Sequence, residues 1–211
     1  MPPPALLALS WALPVLNIGG MAVFAASGAL AAARARQTIV TFAFFAVITG
    51  TGGGTLRDVL IGAPVFWLVD STPLATCLVM ALLVWLTPQH IWSPRALDWF
   101  DAIGLAVYSV YGVAKALSFG VPMLPAAAMG VVTGCMGGIL RDVLAGVPSI
   151  LLRPEIYVSA GALAAGVFSG LLGLGVDTTP ASLVGAGAGF LLRALAITRG
   201  WGLPQYGGRD P

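Results

Sequence analysis

A thirteen-residue phrase occurs twice in this chain. Gly50–Gly62 reads GTGGGTLRDVLIG and Gly134–Gly146 reads GCMGGILRDVLAG. Both copies sit inside long apolar stretches, where a glycine cluster followed by an arginine and an aspartate is costly. Glycine weakens a helix interior by about 1 kcal/mol per residue. A charge near a bilayer centre costs about 2.5–3.5 kcal/mol on insertion scales. A chain that repeats this cost at matching positions needs the backbone freedom and the buried charge for something. The pattern points to a pathway through a membrane.

Composition bounds the fold class. Of 211 residues, 58% are hydrophobic and 9% charged, and mean hydropathy is +0.96. Soluble domains carry about 25% charged residues. An all-α, multi-pass membrane protein is expected, with a single transmembrane domain over 1–211 and no residue set aside for a soluble one. The opening MPPPALLALSWALP has no basic n-region, so a cleaved signal peptide is not expected. Cys77 and Cys135 both fall in apolar segments and suggest neither disulfide nor metal site. The net charge of +2 is small and the basic residues are scattered, which excludes a nucleic-acid partner.

A spanning helix needs about 20 mainly apolar residues. Seven candidates follow: Leu13–Ala33, Thr38–Leu60, Pro73–Thr87, Leu97–Leu117, Met123–Leu144, Ile156–Val176 and Pro180–Ile197. The third is short and could continue toward Trp92. Seven spans place Arg34, Arg36, Arg95, Arg153, Arg199 and Arg209 on one side, and Asp70 and Asp177 on the other, with Lys115 at its edge. The positive-inside rule then sets the N-terminus outside and the C-terminus in the cytoplasm of a cell-membrane protein. Trp11 and Trp67 fall near the outer interface, and Trp85, Trp92, Trp99 and Trp201 near the inner one.

An offset of 84 positions, Gly134 against Gly50, aligns more than the phrase. Gly20 to Phe24 falls on Gly104 to Tyr108, Gly28 on Gly112 and Thr49 on Thr133. Spans one to three (13–87) therefore match spans four to six (97–176). Three is odd, so the copies cross the membrane in opposite senses, as an inverted repeat, with the seventh helix (180–199) outside it.

Gly50, Gly52, Gly53 and Gly54 in span two, and Gly134, Gly137 and Gly138 in span five, lie near mid-membrane. They are expected to kink or break those helices, freeing carbonyls that a partly dehydrated cation could use. Thr49, Thr51, Thr55 and Thr133 add hydroxyls at the same level. The alternative is close helix packing by small residues. Arg57 and Asp58 lie beyond the first cluster on one side, Arg141 and Asp142 beyond the second on the other. Matching depths set Asp101 against Arg141 and Lys115 level with Asp58, as mouth charges or as helix anchors. Gly166–Gly170 and Gly185–Gly189 suggest close helix contacts, including contacts between subunits. Arg193 is expected to snorkel to the inner interface. No nucleophile elbow, zinc-protease motif or P-loop is present, so no enzyme, cofactor or metal is expected.

Gly52-Gly53-Gly54-x-x-Arg57-Asp58 and Gly137-Gly138-x-x-Arg141-Asp142, inverted and followed by a seventh span, resemble the TRIC family of trimeric intracellular cation channels, in its prokaryotic branch. The resemblance runs from about Pro14 to Arg199. It implies a homotrimer in membrane lipid. Each protomer would hold one pore between the second and fifth helices, conducting potassium and other monovalent cations. The same sequence domain is also labelled a putative glycine transporter, which leaves a secondary transporter of a small solute as the alternative. Val113-Ala114-Lys115-Ala116 replaces the Lys-Glu-Val motif of animal members. Their phosphoinositide site and calcium-store role are therefore not carried over.

Overall fold

The computed structural model describes residues 12–205, so Trp11 and Arg209 of the orientation reading lie outside it. The described residues form eight α-helices: α1 Ala12–Arg34, α2 Ile39–Leu60, α3 Phe66–Val69, α4 Thr72–Leu86, α5 Ala96–Ser118, α6 Met123–Leu144, α7 Val158–Gly173 and α8 Thr178–Arg199. All but α3, a single turn, coincide with the seven apolar segments of the sequence. By length and composition, α2, α5, α6 and α8 can each cross a membrane, while α4 and α7 are shorter apolar helices. The third segment ends at Leu86, and Gln89–Ile91 is a separate 3-10 turn.

Local signals set the helix ends. Thr38 precedes α2, and its hydroxyl accepts from the Thr41 amide at 3.5 Å. Asp70 accepts from the Thr72 amide at 2.9 Å and the Thr72 hydroxyl at 2.8 Å, ahead of Pro73 in the first turn of α4. Those two donors hold the exposed Asp70 carboxyl below the ordinary carboxylate range. Gly62 and Gly146 stand just past α2 and α6 with φ of +68° and +66°, the left-handed stop that favours glycine. These two stops are 84 residues apart, like the phrases they end.

Packing follows the same offset. α1 packs on α2 and α4, and α2 on α4; correspondingly α5 packs on α6 and α7, and α6 on α7. The two sets meet through α1 against α5 and α2 against α6, and α8 lies against α7 and α5. One core gathers Met21, Phe24, Phe42, Phe45 and Val84. A second gathers Val110, Val113, Ala164 and Phe168.

Candidate functional site

The two glycine phrases meet where α2 crosses α6. A Cβ on Gly53 would fall on the Thr133 carbonyl oxygen, and one on Gly137 would lie 2.7 Å from the Thr49 carbonyl oxygen. Thr133 stands to Gly137 as Thr49 stands to Gly53, so the contact is reciprocal. Each helix presents a glycine to the other's threonine carbonyl, where no side chain would fit. The same reciprocity holds further out. A Cβ on Gly20 would strike the Tyr108 ring at 2.6 Å, and one on Gly104 the Phe24 ring at 2.9 Å. Pairs that swap in this way are what a two-fold arrangement produces.

Neither cluster interrupts its helix. α2 and α6 are continuous through Gly50–Gly54 and Gly134–Gly138, so the expected breaks with freed carbonyls are absent. The glycines instead remove side chains where neighbours press closest. Beside the crossing, a Cβ on Gly52 would meet Leu140, one on Gly50 the Cys77 sulfur at 2.8 Å, and one on Gly54 the Phe66 ring at 2.7 Å. On the other helix a Cβ on Gly134 would meet the Leu105 carbonyl oxygen at 2.9 Å, and one on Gly138 the Asp101 carboxylate at 2.9 Å. The threonines divide by role. Thr51, Thr55 and Thr133 donate to carbonyls four residues back in their own helices, at 2.7, 2.8 and 2.6 Å. The Thr49 and Ser109 hydroxyls are buried and have no hydrogen-bond partner among the described residues.

A charged cluster flanks the crossing on each side. In the first, Arg57 donates to Asp58 at 2.9 and 2.7 Å, and Lys115 reaches the same carboxylate at 2.8 Å. Arg57 and Asp58 are fully buried; the Lys115 side chain is 16% exposed. The Arg57 guanidinium also lies 5.0 Å from the Tyr111 ring centre, within cation–π range. In the second, Arg141 donates to Asp142 at 3.0 and 2.8 Å, to Asp101 at 2.5 Å and to the Ser27 hydroxyl at 3.3 Å. Asp101 thus meets Arg141 and Lys115 meets Asp58, the partners their depths gave them.

Two features of these clusters had no place in the sequence reading. Each arginine pairs with the aspartate next to it in the chain, although adjacent helix positions do not normally face each other. Each aspartate also accepts a backbone amide eight residues on, Phe66 N–H to Asp58 at 3.1 Å and Ile150 N–H to Asp142 at 2.8 Å. The carboxylates therefore tie the turn after α2 or α6 back to the helix end. A signal for this existed, since the repeat continues past its closing glycine to Pro64 and Pro148.

Contrary to the expectation for it, Arg193 does not snorkel. It is 2% exposed, donates to Glu155 at 2.6 Å and stacks 5.4 Å from the Tyr157 ring centre. Snorkelling assumes no nearer acid, and Glu155 in the loop before α7 supplies one. Of the small-residue pairs, Gly185 and Gly189 pack α8 onto α7: a Cβ on each would lie 2.9 and 2.8 Å from the Ala164 and Ala160 carbonyl oxygens. Gly166 and Gly170 face open space within this chain.

The chain is similar to known proteins. A family model described as Glycine transporter matches residues 14–89 and 98–172, the two halves of the repeat. A UPF0126 membrane protein of Vibrio cholerae is 39% identical over 201 residues, covering 92% of this chain and 82% of its own. The UPF0126 inner membrane protein YadS of Escherichia coli is 38% identical over 198 residues, covering 90% of this chain and 94% of its own. The crystal structure of the TRIC trimeric intracellular cation channel orthologue from Rhodobacter sphaeroides aligns with a TM-score of 0.83 at 36% identity. That alignment covers 90% of this chain and 99% of the orthologue. The chain is an all-helical membrane protein of the TRIC family, the family that the glycine-transporter model also describes.

Proposed function

We propose that this protein is a monovalent cation channel, permeable to potassium and sodium. Its path runs inside each protomer between α2 and α6, and three protomers assemble in the membrane. The observation that carries the reading is the reciprocal crossing of Gly53 on Thr133 and Gly137 on Thr49, with a buried ion cluster on each side. In this reading the seven longer helices span the bilayer, and 13–87 and 97–176 are oppositely directed repeats. The N-terminus faces outside and the C-terminus the cytoplasm.

The chemistry of the crossing favours cations. Its polar groups are the Thr49 and Thr133 carbonyls and the unpartnered Thr49 and Ser109 hydroxyls, all able to present oxygen to an ion. Arg57 and Arg141 stand four residues on from the crossing glycines Gly53 and Gly137 and are held by Asp58 and Asp142. The helices touch at the glycines, so the path is shut there and conduction requires α2 and α6 to part. Two helices cannot build a four-fold carbonyl cage, so potassium–sodium discrimination is weak. Purified protein in a planar bilayer tests the reading: unitary current steps in KCl are expected, and they disappear in Gly53→Leu. Silence from correctly assembled wild-type protein overturns it.

The second reading, a secondary transporter for a small solute such as glycine, is favoured by the description of the family model. It predicts saturable uptake of labelled glycine into proteoliposomes without unitary currents. Transporters of inverted-repeat design bind substrate at discontinuous helices. The continuity of α2 and α6 weighs against that design here.

A further inference from the structure

Among the charged members of the two buried clusters, the repeat is faithful except at two positions. At the 84-residue offset, Asp101 corresponds to Asn17 and Lys115 to Ala31. Every other member of the charged clusters has its like: Arg57 with Arg141, Asp58 with Asp142. Both exceptions lie on α5, and each joins a different cluster. The Arg57 cluster therefore holds Arg57, Lys115 and Asp58, one positive charge in excess. The Arg141 cluster holds Arg141, Asp101 and Asp142, one negative charge in excess.

We propose that Asp101 and Lys115 polarise the ion path, so that it passes cations more readily from the Asp101 end toward the Lys115 end than in reverse. This rests on the channel reading above. The two residues are fourteen positions apart on one helix, about 21 Å along its axis. At that separation each charge lies much nearer its own end of the path than the other, so its Coulomb energy with a passing ion is larger there. The α5 backbone dipole opposes the pair with about half a charge at each end. Its counterpart α1 runs in the opposite sense in the inverted arrangement, so the two backbone dipoles cancel and the side-chain charges do not. At the Asp101 end the buried negative excess concentrates cations in the path, while Arg34, Arg36, Arg95, Arg153 and Arg199 on that side are exposed, where salt screens them. At the Lys115 end the positive excess depletes them. Cations driven from the Asp101 end fill the path, and cations driven from the Lys115 end enter an impoverished one.

Single-channel currents at equal and opposite voltages in symmetrical KCl test this. At about 0.1 M salt the wild type is expected to rectify about twofold. Lys115→Met, at a partly exposed side chain, is expected to bring the ratio toward one. Asp101→Asn shifts it the same way. Exchange of both charges to their repeat counterparts, by combining Asp101→Asn, Asn17→Asp, Lys115→Ala and Ala31→Lys, is expected to reverse the preferred direction. Unitary currents from wild type with a ratio of one overturn this inference and leave the channel reading standing. Rectification unchanged in Lys115→Met overturns it too. Absence of unitary currents in wild type overturns the channel reading itself.

Discussion

Gly53→Ala tests the helix crossing through stability alone. An alanine normally strengthens a helix interior by about 1 kcal/mol relative to glycine. Here the added methyl falls on the Thr133 carbonyl oxygen and lies 3.2 Å from its carbon. The obstacle is backbone within α6, so no rotamer change relieves it and the helices must separate. Overpacking of this kind costs about 1–3 kcal/mol. The net effect is a loss of up to about 2 kcal/mol. Gly187 in α8 has no atom within 4 Å of a Cβ, so Gly187→Ala keeps the gain and none of the cost. The propensity term is common to both, and the two variants should differ by about 1–3 kcal/mol. Gly53 and Gly137 occupy one crossing, so the double alanine variant should lose less than the sum of the singles, because the helices need part only once. Reversible unfolding in mixed detergent micelles measures all four proteins. Equal stabilisation by Gly53→Ala and Gly187→Ala would refute the close crossing.

Other outcomes follow from the charged clusters, the helix caps and the assembly. Asp101→Asn leaves the buried Arg141 with Asp142 alone and should cost about 3–5 kcal/mol, read by the same unfolding assay. Lys115→Met should cost clearly less, because that ammonium is partly exposed and Asp58 keeps Arg57. Asp70 has a lowered folded pKa, so its contribution is present above the unfolded value of about 4 and lost as pH falls through the folded one. The stability gap between wild type and Asp70→Asn should therefore close in acid. Mass measurement of protein in mild detergent should give three chains; one or two across several detergents would contradict the trimer.

The helical plan of this protein was legible because its apolar segments are long and are separated by short turns rich in Pro, Gly, Asp or Arg. The pairing of Asp101 with Arg141 was legible too, since residues at one depth must satisfy each other where water is absent. The glycines misled in one respect. Gly50–Gly54 carry the composition of a broken helix, and nothing in one strand of sequence tells a break from a place where another backbone presses in. That distinction needs the partner, Thr133, which is 80 residues from Gly53 in the chain. Arg193 misled similarly, because a polar helix end near an interface offers solvent as the default and Glu155 comes close only on folding. The capping of Phe66 and Ile150 amides by Asp58 and Asp142 was within reach, since the repeat carries the proline two residues before each amide.

The reversal potential of the purified protein under a potassium chloride gradient decides whether the crossing passes cations in preference to anions. Carbonyl and hydroxyl oxygens at the crossing, with both arginines neutralised beyond it, predict a potential close to the potassium equilibrium value. A potential on the chloride side of zero would mean that the crossing does not favour cations, and the account would be wrong.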